Sequence, residues 1–126
     1  MPVAENDIQC YNAGLKVRRE VLGASHVDGS LQRLTPLNEK FQDLITRYAW
    51  GEIWTREGLP RHTRSLLTIG PIVALNRPEK LKSHLRAARN NGVSRAEIKE
   101  VLLQTAIYCG VPAANAAVHL AEEVFK

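Results

Sequence analysis

The stretch Glu100–Ala117, EVLLQTAIYCGVPAANAA, decides the fold. Its first half has the period of an amphipathic helix, and its second half is an alanine-rich helix. The break between them is local physics. Gly110 can adopt the left-handed backbone that ends a helix, and Pro112 fits the first turn of the next one. The break puts Tyr108 and Cys109 on the last turn before a bend, where side chains can converge on a pocket.

Working outward, every long segment carries a helical period and none alternates as a strand would. Before the quoted stretch, Ser94-Arg95-Ala96-Glu97 has capping-box spacing. From there Ile98, Val101, Leu102, Thr105 and Cys109 share one face. After the break, Ala113, Ala116, Ala117, Leu120 and Val124 line one side of the last helix. Upstream, Pro78 starts a helix that runs to about Asn90 and is closed by Gly92. Pro60 opens another, through Leu66, Leu67, Ile69, Ile72, Val73 and Leu75, with a kink expected at Gly70-Pro71.

Nearer the N-terminus, a first helix is expected from about Asp7 to Leu22, ending at Gly23. A loop through Ser25, His26, Asp28 and Gly29 should follow. Thr35-Pro36 reads as an N-cap and first turn. Leu37, Phe41, Leu44, Ile45 and Tyr48 then have the spacing of a buried face, with Gly51 breaking that helix. Five to seven helices and no sheet are expected: an all-α, compact helical bundle in one domain over residues 1–126, with an N-terminal helical segment to about residue 33.

Composition narrows the function classes. At 126 residues, with 44% hydrophobic and 24% charged residues, the chain can bury a core and is not of disordered type. No apolar run reaches the roughly 18 residues of a membrane span. The segment MPVAENDIQC has neither a basic nor an apolar region of a secretion signal, so a cytoplasmic location is expected. The net charge is +4, but the basic residues are scattered and do not interleave with aromatic side chains. This disfavours nucleic acid and suits a small anionic ligand. Cys10 and Cys109 form no CxxC and have no metal-type spacing to a histidine, so free thiols and no metal are expected.

The residues able to do chemistry each have two readings. His84 borders the apolar face of Leu81 and Ala88, either as a core histidine or as a proton-transfer group lining a cavity. Arg56, Arg61 and Arg64 surround the Gly58-Leu59-Pro60 break and are either surface charge or a carboxylate clamp. Trp54 is core or a pocket wall, and Glu52 is a lone carboxylate or an acid/base. Tyr108 is a packed tyrosine or a donor to an oxyanion. His26 belongs to a loop or to a shared site, and His62 and His119 are expected at the surface. There is no phosphate-binding glycine loop and no GxSxG.

Together, VRREVLGASHVD (17–28), FQDLITRYAWGEIWTREGL (41–59), RSLLTIG (64–70), HLRAARNNGVSRAEIKEVLLQTAIYCGVPAANAA (84–117) and HLAEEVF resemble the carboxymuconolactone decarboxylase family over nearly the whole chain. This family lies within the alkylhydroperoxidase-like superfamily. Its thiol members carry a CxxC followed four residues later by a histidine. Here His84 matches that histidine, but Arg77 and Lys80 occupy the cysteine positions, so no dithiol is present there to reduce a peroxide. The resemblance implies a cofactor-free decarboxylation of a carboxylated butenolide in aromatic-compound breakdown, with the lactone ring as electron sink. It also implies a homo-oligomer, a hexamer of the trimer-of-dimers type, in which His26 can come from a neighbour. For that chemistry Arg56 and Arg64 would hold a carboxylate. Tyr108 and His84 would face the oxyanion, His84 would return the proton, Glu52 would serve as acid or base, and Trp54 would wall the departing carboxylate. The alternatives are a thiol peroxidase or disulfide reductase of the superfamily, or a non-catalytic helical ligand-binding protein.

Overall fold

The computed structural model describes residues 2–126, whose regular elements are all helices, with no strand among them: α1 (Pro2–Leu22), α2 (Ala24–Gln32), α3 (Glu39–Ile45), a π-helix (Thr46–Ile53), α4 (Arg61–Ala74), α5 (Pro78–Asn90), α6 (Arg95–Cys109) and α7 (Val111–Val124). The all-α expectation holds. None of these helices is long and apolar enough to cross a membrane. The chain divides into two compact units, the first ending at Leu59 and the second running from Pro60 to Lys126.

In the first unit α1 packs along the π-helix. The crossing is possible because two glycines meet in it. A Cβ on Gly14 would collide with the Thr46 carbonyl and lie 2.7 Å from the Gly51 amide nitrogen, and one on Gly51 would collide with the Cys10 carbonyl. Gly51 therefore does not break the helix, as its sequence context suggests. The chain continues through it in wide π turns, closed by the Trp54 amide donating to the Ala49 carbonyl at 3.0 Å. The absent side chain serves interhelical contact here, not termination.

Three other expectations for this unit are corrected. Residues 24–32 are helical, so His26 lies on α2 and not in a loop. The stripe Leu37, Phe41, Leu44 and Tyr48 faces outward, with Leu37 93% exposed. The buried positions are Thr46 and Trp50, on the same helical stretch but another face. The helical period was legible there, but the polar Gln42-Thr46 side turns inward because Arg18 lies opposite it. Finally, regular α-helix starts at Glu39, not Pro36. Asn38, not Thr35, is the N-cap; Thr35 closes the turn before it, its Oγ1 accepting from the Asn38 amide at 3.3 Å while Asn38 Oδ1 accepts from the Thr35 amide at 2.8 Å. The reciprocal pair has the pattern of a capping box but closes the turn before α3 instead of the helix itself.

The second unit packs α4, α5, α6 and α7 around Ile69, Val73, Leu81, Leu85, Ala88, Ile98, Leu102, Ala117, Ala121 and Val124. Its punctuation follows the sequence. Ser94 and Glu97 form the expected capping box, and Gly92 has φ +85° after α5. Gly110, at φ +107° and ψ 142°, is at once the C-cap of α6 and the N-cap of α7. That conformation disfavours any residue with a Cβ. Pro71 removes one donor from α4 without ending it, and α4 runs on to Ala74. The end of α7 is tied by two guanidiniums: Arg89 donates to the Val124 carbonyl at 2.7 Å and Arg95 to the Phe125 carbonyl at 2.8 Å. Cations there oppose the negative end of the helix dipole.

Candidate functional site

In the first unit the side chains with chemistry gather around the α1 and π-helix crossing. The π turn carries Trp50 inward and brings Trp54 onto it, with ring centroids 5.0 Å apart and planes 28° from parallel. Trp50 is buried and Trp54 half-buried, so the pair forms an apolar wall with one edge to solvent. Glu52, between them in sequence, is exposed, and its Oε1 accepts from Cys10 Sγ at 3.2 Å. That carboxylate pushes the Cys10 thiol above its ordinary range, first through this hydrogen bond and then with help from burial. A thiol so placed is a poorer nucleophile. Arg56 is exposed just after the π-helix, and His26 is exposed on α2.

Sequence reasoning missed Arg18. It is one of the chain's scattered basic residues, yet it is buried, with Nη1 donating to Thr46 Oγ1 and Nη2 to Gln42 Oε1, each at 3.1 Å. The signal was available: Gly14, Val17, Arg18 and Val21 are spaced i, i+3, i+4 and i+7, and all four are buried. A cation sits on the inward stripe of an amphipathic helix.

In the second unit Arg64 is half-buried in the first turn of α4, where its carbonyl accepts from Thr68 Oγ1 at 2.7 Å. His84 is half-buried on α5, between buried Leu81 and Leu85. Tyr108 is 81% exposed at the end of α6, and Cys109 beside it is exposed as well. The bend therefore presents them outward instead of folding them over a pocket of this unit. A groove of about 770 Å³ does run between α6 and α7, walled by Leu102, Leu103, Ala106, Val111, Val118 and Phe125 among others. Arg64, His84 and Tyr108 are not among its lining residues.

His62 is corrected too. It is half-buried, and its Nε2 lies 2.9 Å from the Glu97 carboxylate. Glu97 is held below the usual carboxylate range, chiefly by the Ser94 amide and next by His62. This explains His62 as a brace between α4 and the α6 cap.

Residues 39–123 match the sequence profile of the Carboxymuconolactone decarboxylase family. The chain is 57% identical over 121 residues to the 4-carboxymuconolactone decarboxylase of Acinetobacter baylyi, covering 96% of this chain and 90% of that protein. It is 46% identical over 102 residues to a nitrosuccinic acid decarboxylase of Metarhizium robertsii, covering 81% and 71%. A 44-residue match at 52% identity joins it to the 4-carboxymuconolactone decarboxylase of Pseudomonas putida, covering 35% of this chain and 92% of that sequence.

Proposed function

The chain belongs to the carboxymuconolactone decarboxylase family, and from that premise we propose that it is a carboxy-lyase converting 4-carboxymuconolactone to β-ketoadipate enol-lactone and CO₂ in protocatechuate catabolism. The observation that carries this is the 57% identity to the bacterial decarboxylase over nearly the full length of both chains. The chemistry needs no cofactor. The C–CO₂ bond electrons enter the ring and are delocalised through the C=C bond to the lactone carbonyl. A proton then adds to the ring carbon remote from the departed group.

Three roles fall to the protein. Arg56, in the first unit, and Arg64, in the second, each offer a guanidinium to the anionic substrate, since guanidinium matches a carboxylate with two parallel donors. Tyr108 and His84 donate to the developing lactone oxyanion, where preset donors are most effective. His84 returns the proton, with Glu52 as a second acid or base. The Trp50–Trp54 pair supports an apolar wall at Trp54, against which a departing carboxylate loses hydration.

Exposed Ile107, Tyr108 and Val111 in the second unit and exposed Leu37, Phe41 and Tyr48 in the first support self-association, for which a hexamer built as a trimer of dimers is the assembly we infer. In such an assembly the exposed Tyr108 and His26 take their places through a neighbouring copy. The cytoplasm is the compartment that fits this role.

The fungal relative supports a second reading, decarboxylation of a nitro-substituted diacid. Supplying 4-carboxymuconolactone and, separately, nitrosuccinic acid while following substrate loss and CO₂ release tests both. No turnover of the lactone by folded, assembled protein removes the first reading.

A further inference from the structure

Arg18 is 5% exposed, and its two hydrogen-bond acceptors, Thr46 and Gln42, are both neutral. Its neighbours are treated differently. Arg19 pairs with Asp28, and Arg47 pairs with Asp43 and Asp7. Among the described residues no carboxylate pairs with Arg18, and its Nε is buried without a hydrogen-bond partner. A guanidinium stays protonated in a protein, and burying that charge without a counter-charge is costly. Burial accordingly lowers the Arg18 pKa, as the first cause of its shift.

The arrangement of the donors matters more than the charge alone. Nε and Nη2 form one edge of the guanidinium, the fork that takes both oxygens of a carboxylate. Here that edge carries a single amide oxygen, on Nη2, and nothing on Nε. The opposite donor, Nη1, is engaged by Thr46, whose own hydroxyl hydrogen goes to the Gln42 carbonyl at 2.7 Å. Thr46 is buried and fixed, whereas Gln42 is half-buried. The Gln42 amide is the displaceable partner.

We propose that Arg18, with Thr46 as its fixed support and Gln42 as its exchangeable cap, is a binding site in the first unit for the carboxylate of a small organic acid. The acid replaces Gln42 Oε1 on Nη2 and places its second oxygen on Nε. The site rests on the proposed activity only for identifying that acid as the substrate. In that case it holds the carboxylate that is retained, because binding the departing one would stabilise the ground state against reaction.

The test is thermal unfolding of the full chain in low-chloride buffer, titrated with succinate, acetate or sulfate at constant ionic strength, for the parent and for Gln42→Glu. A ligand of the native state raises Tm with the logarithm of its concentration. The parent Tm should rise with succinate and acetate and not with sulfate. Gln42→Glu supplies an internal carboxylate of the same shape, so its Tm without added acid should exceed the parent's. Its response to succinate should be weakened at least about tenfold, as expected for loss of a charge-assisted pair. A parent indifferent to carboxylates, an equal response to sulfate, a destabilised Gln42→Glu or a full response in that variant each overturns the proposal. Decarboxylation assays on the same preparations keep the two questions apart. Carboxylate-linked stabilisation without turnover leaves this site standing and removes the assigned substrate.

Discussion

Replacing Gly14 with Ala tests whether the glycine crossing of α1 and the π-helix organises the first unit. The new Cβ would lie 2.7 Å from the Gly51 nitrogen and even closer to the Thr46 carbonyl. Non-bonded heavy atoms prefer separations of at least roughly 3.5 Å, so the Thr46 carbonyl, the nearer obstacle, forces the helices apart by more than about 1 Å, which forfeits more than about half of the attraction across the contact. Overpacking of this kind costs roughly 1–3 kcal/mol. Both obstacles are backbone atoms that no rotamer change can move, which sets the cost at the upper end, ~3 kcal/mol. Against this, alanine gains about 1 kcal/mol over glycine in a helix interior. The net loss is ~2 kcal/mol, or about 8 °C in Tm at roughly 4 °C per kcal/mol for a chain of this size. Circular dichroism melts provide the assay, with Gly58→Ala as control. Nothing lies within 4 Å of a Cβ there and its φ is not positive, so its Tm should match the parent's within the small range of surface substitutions. Gly51→Ala should resemble Gly14→Ala. The double variant should lose less than the two single losses combined, since the helices need part only once. A Gly14→Ala protein as stable as the Gly58→Ala control would refute the close crossing.

His84→Ala should lower kcat for decarboxylation by roughly 10²–10⁴-fold while leaving the melt cooperative, if the imidazole moves the proton; assays of CO₂ release at saturating substrate read this. For Glu97→Gln the sign follows from the lowered carboxylate. Its contribution to stability is fully present above the ordinary Glu range and is lost as pH falls through the lower native value. Urea melts should therefore separate parent from variant at neutral pH and converge in strong acid. Ile107→Asp, at a position 80% exposed, should leave each chain folded and reduce the assembled mass in light scattering. An unchanged mass would place the interface elsewhere.

The second unit was largely legible because its signals are local. A proline starting α5, a glycine at positive φ ending it and a Ser-x-x-Glu box opening α6 act within one turn, and each is found where its chemistry puts it. The first unit was less so, because its decisive contacts are between helices. A glycine at position 51 reads as a breaker until Gly14 is known to lie opposite it. The stripe Leu37, Phe41, Leu44 and Tyr48 has the period of a core face, and periodicity alone cannot say whether that face is covered by the same chain or left exposed. The same limit applies to Tyr108. The bend at Gly110 was correctly placed, but its side chain points outward.

The two thiols of this chain are not placed for disulfide exchange. Disulfide exchange needs two sulfurs able to reach one another, one of them as thiolate. On α5 the positions that would supply them hold Arg77, the N-cap residue, and Lys80 in the first turn, one turn before His84. Of the two cysteines present, Cys109 is exposed at a helix end, and Cys10 donates its proton toward Glu52, which holds it as a thiol. What α5 carries beyond Arg77 and Lys80 is His84, half-buried between Leu81 and Leu85.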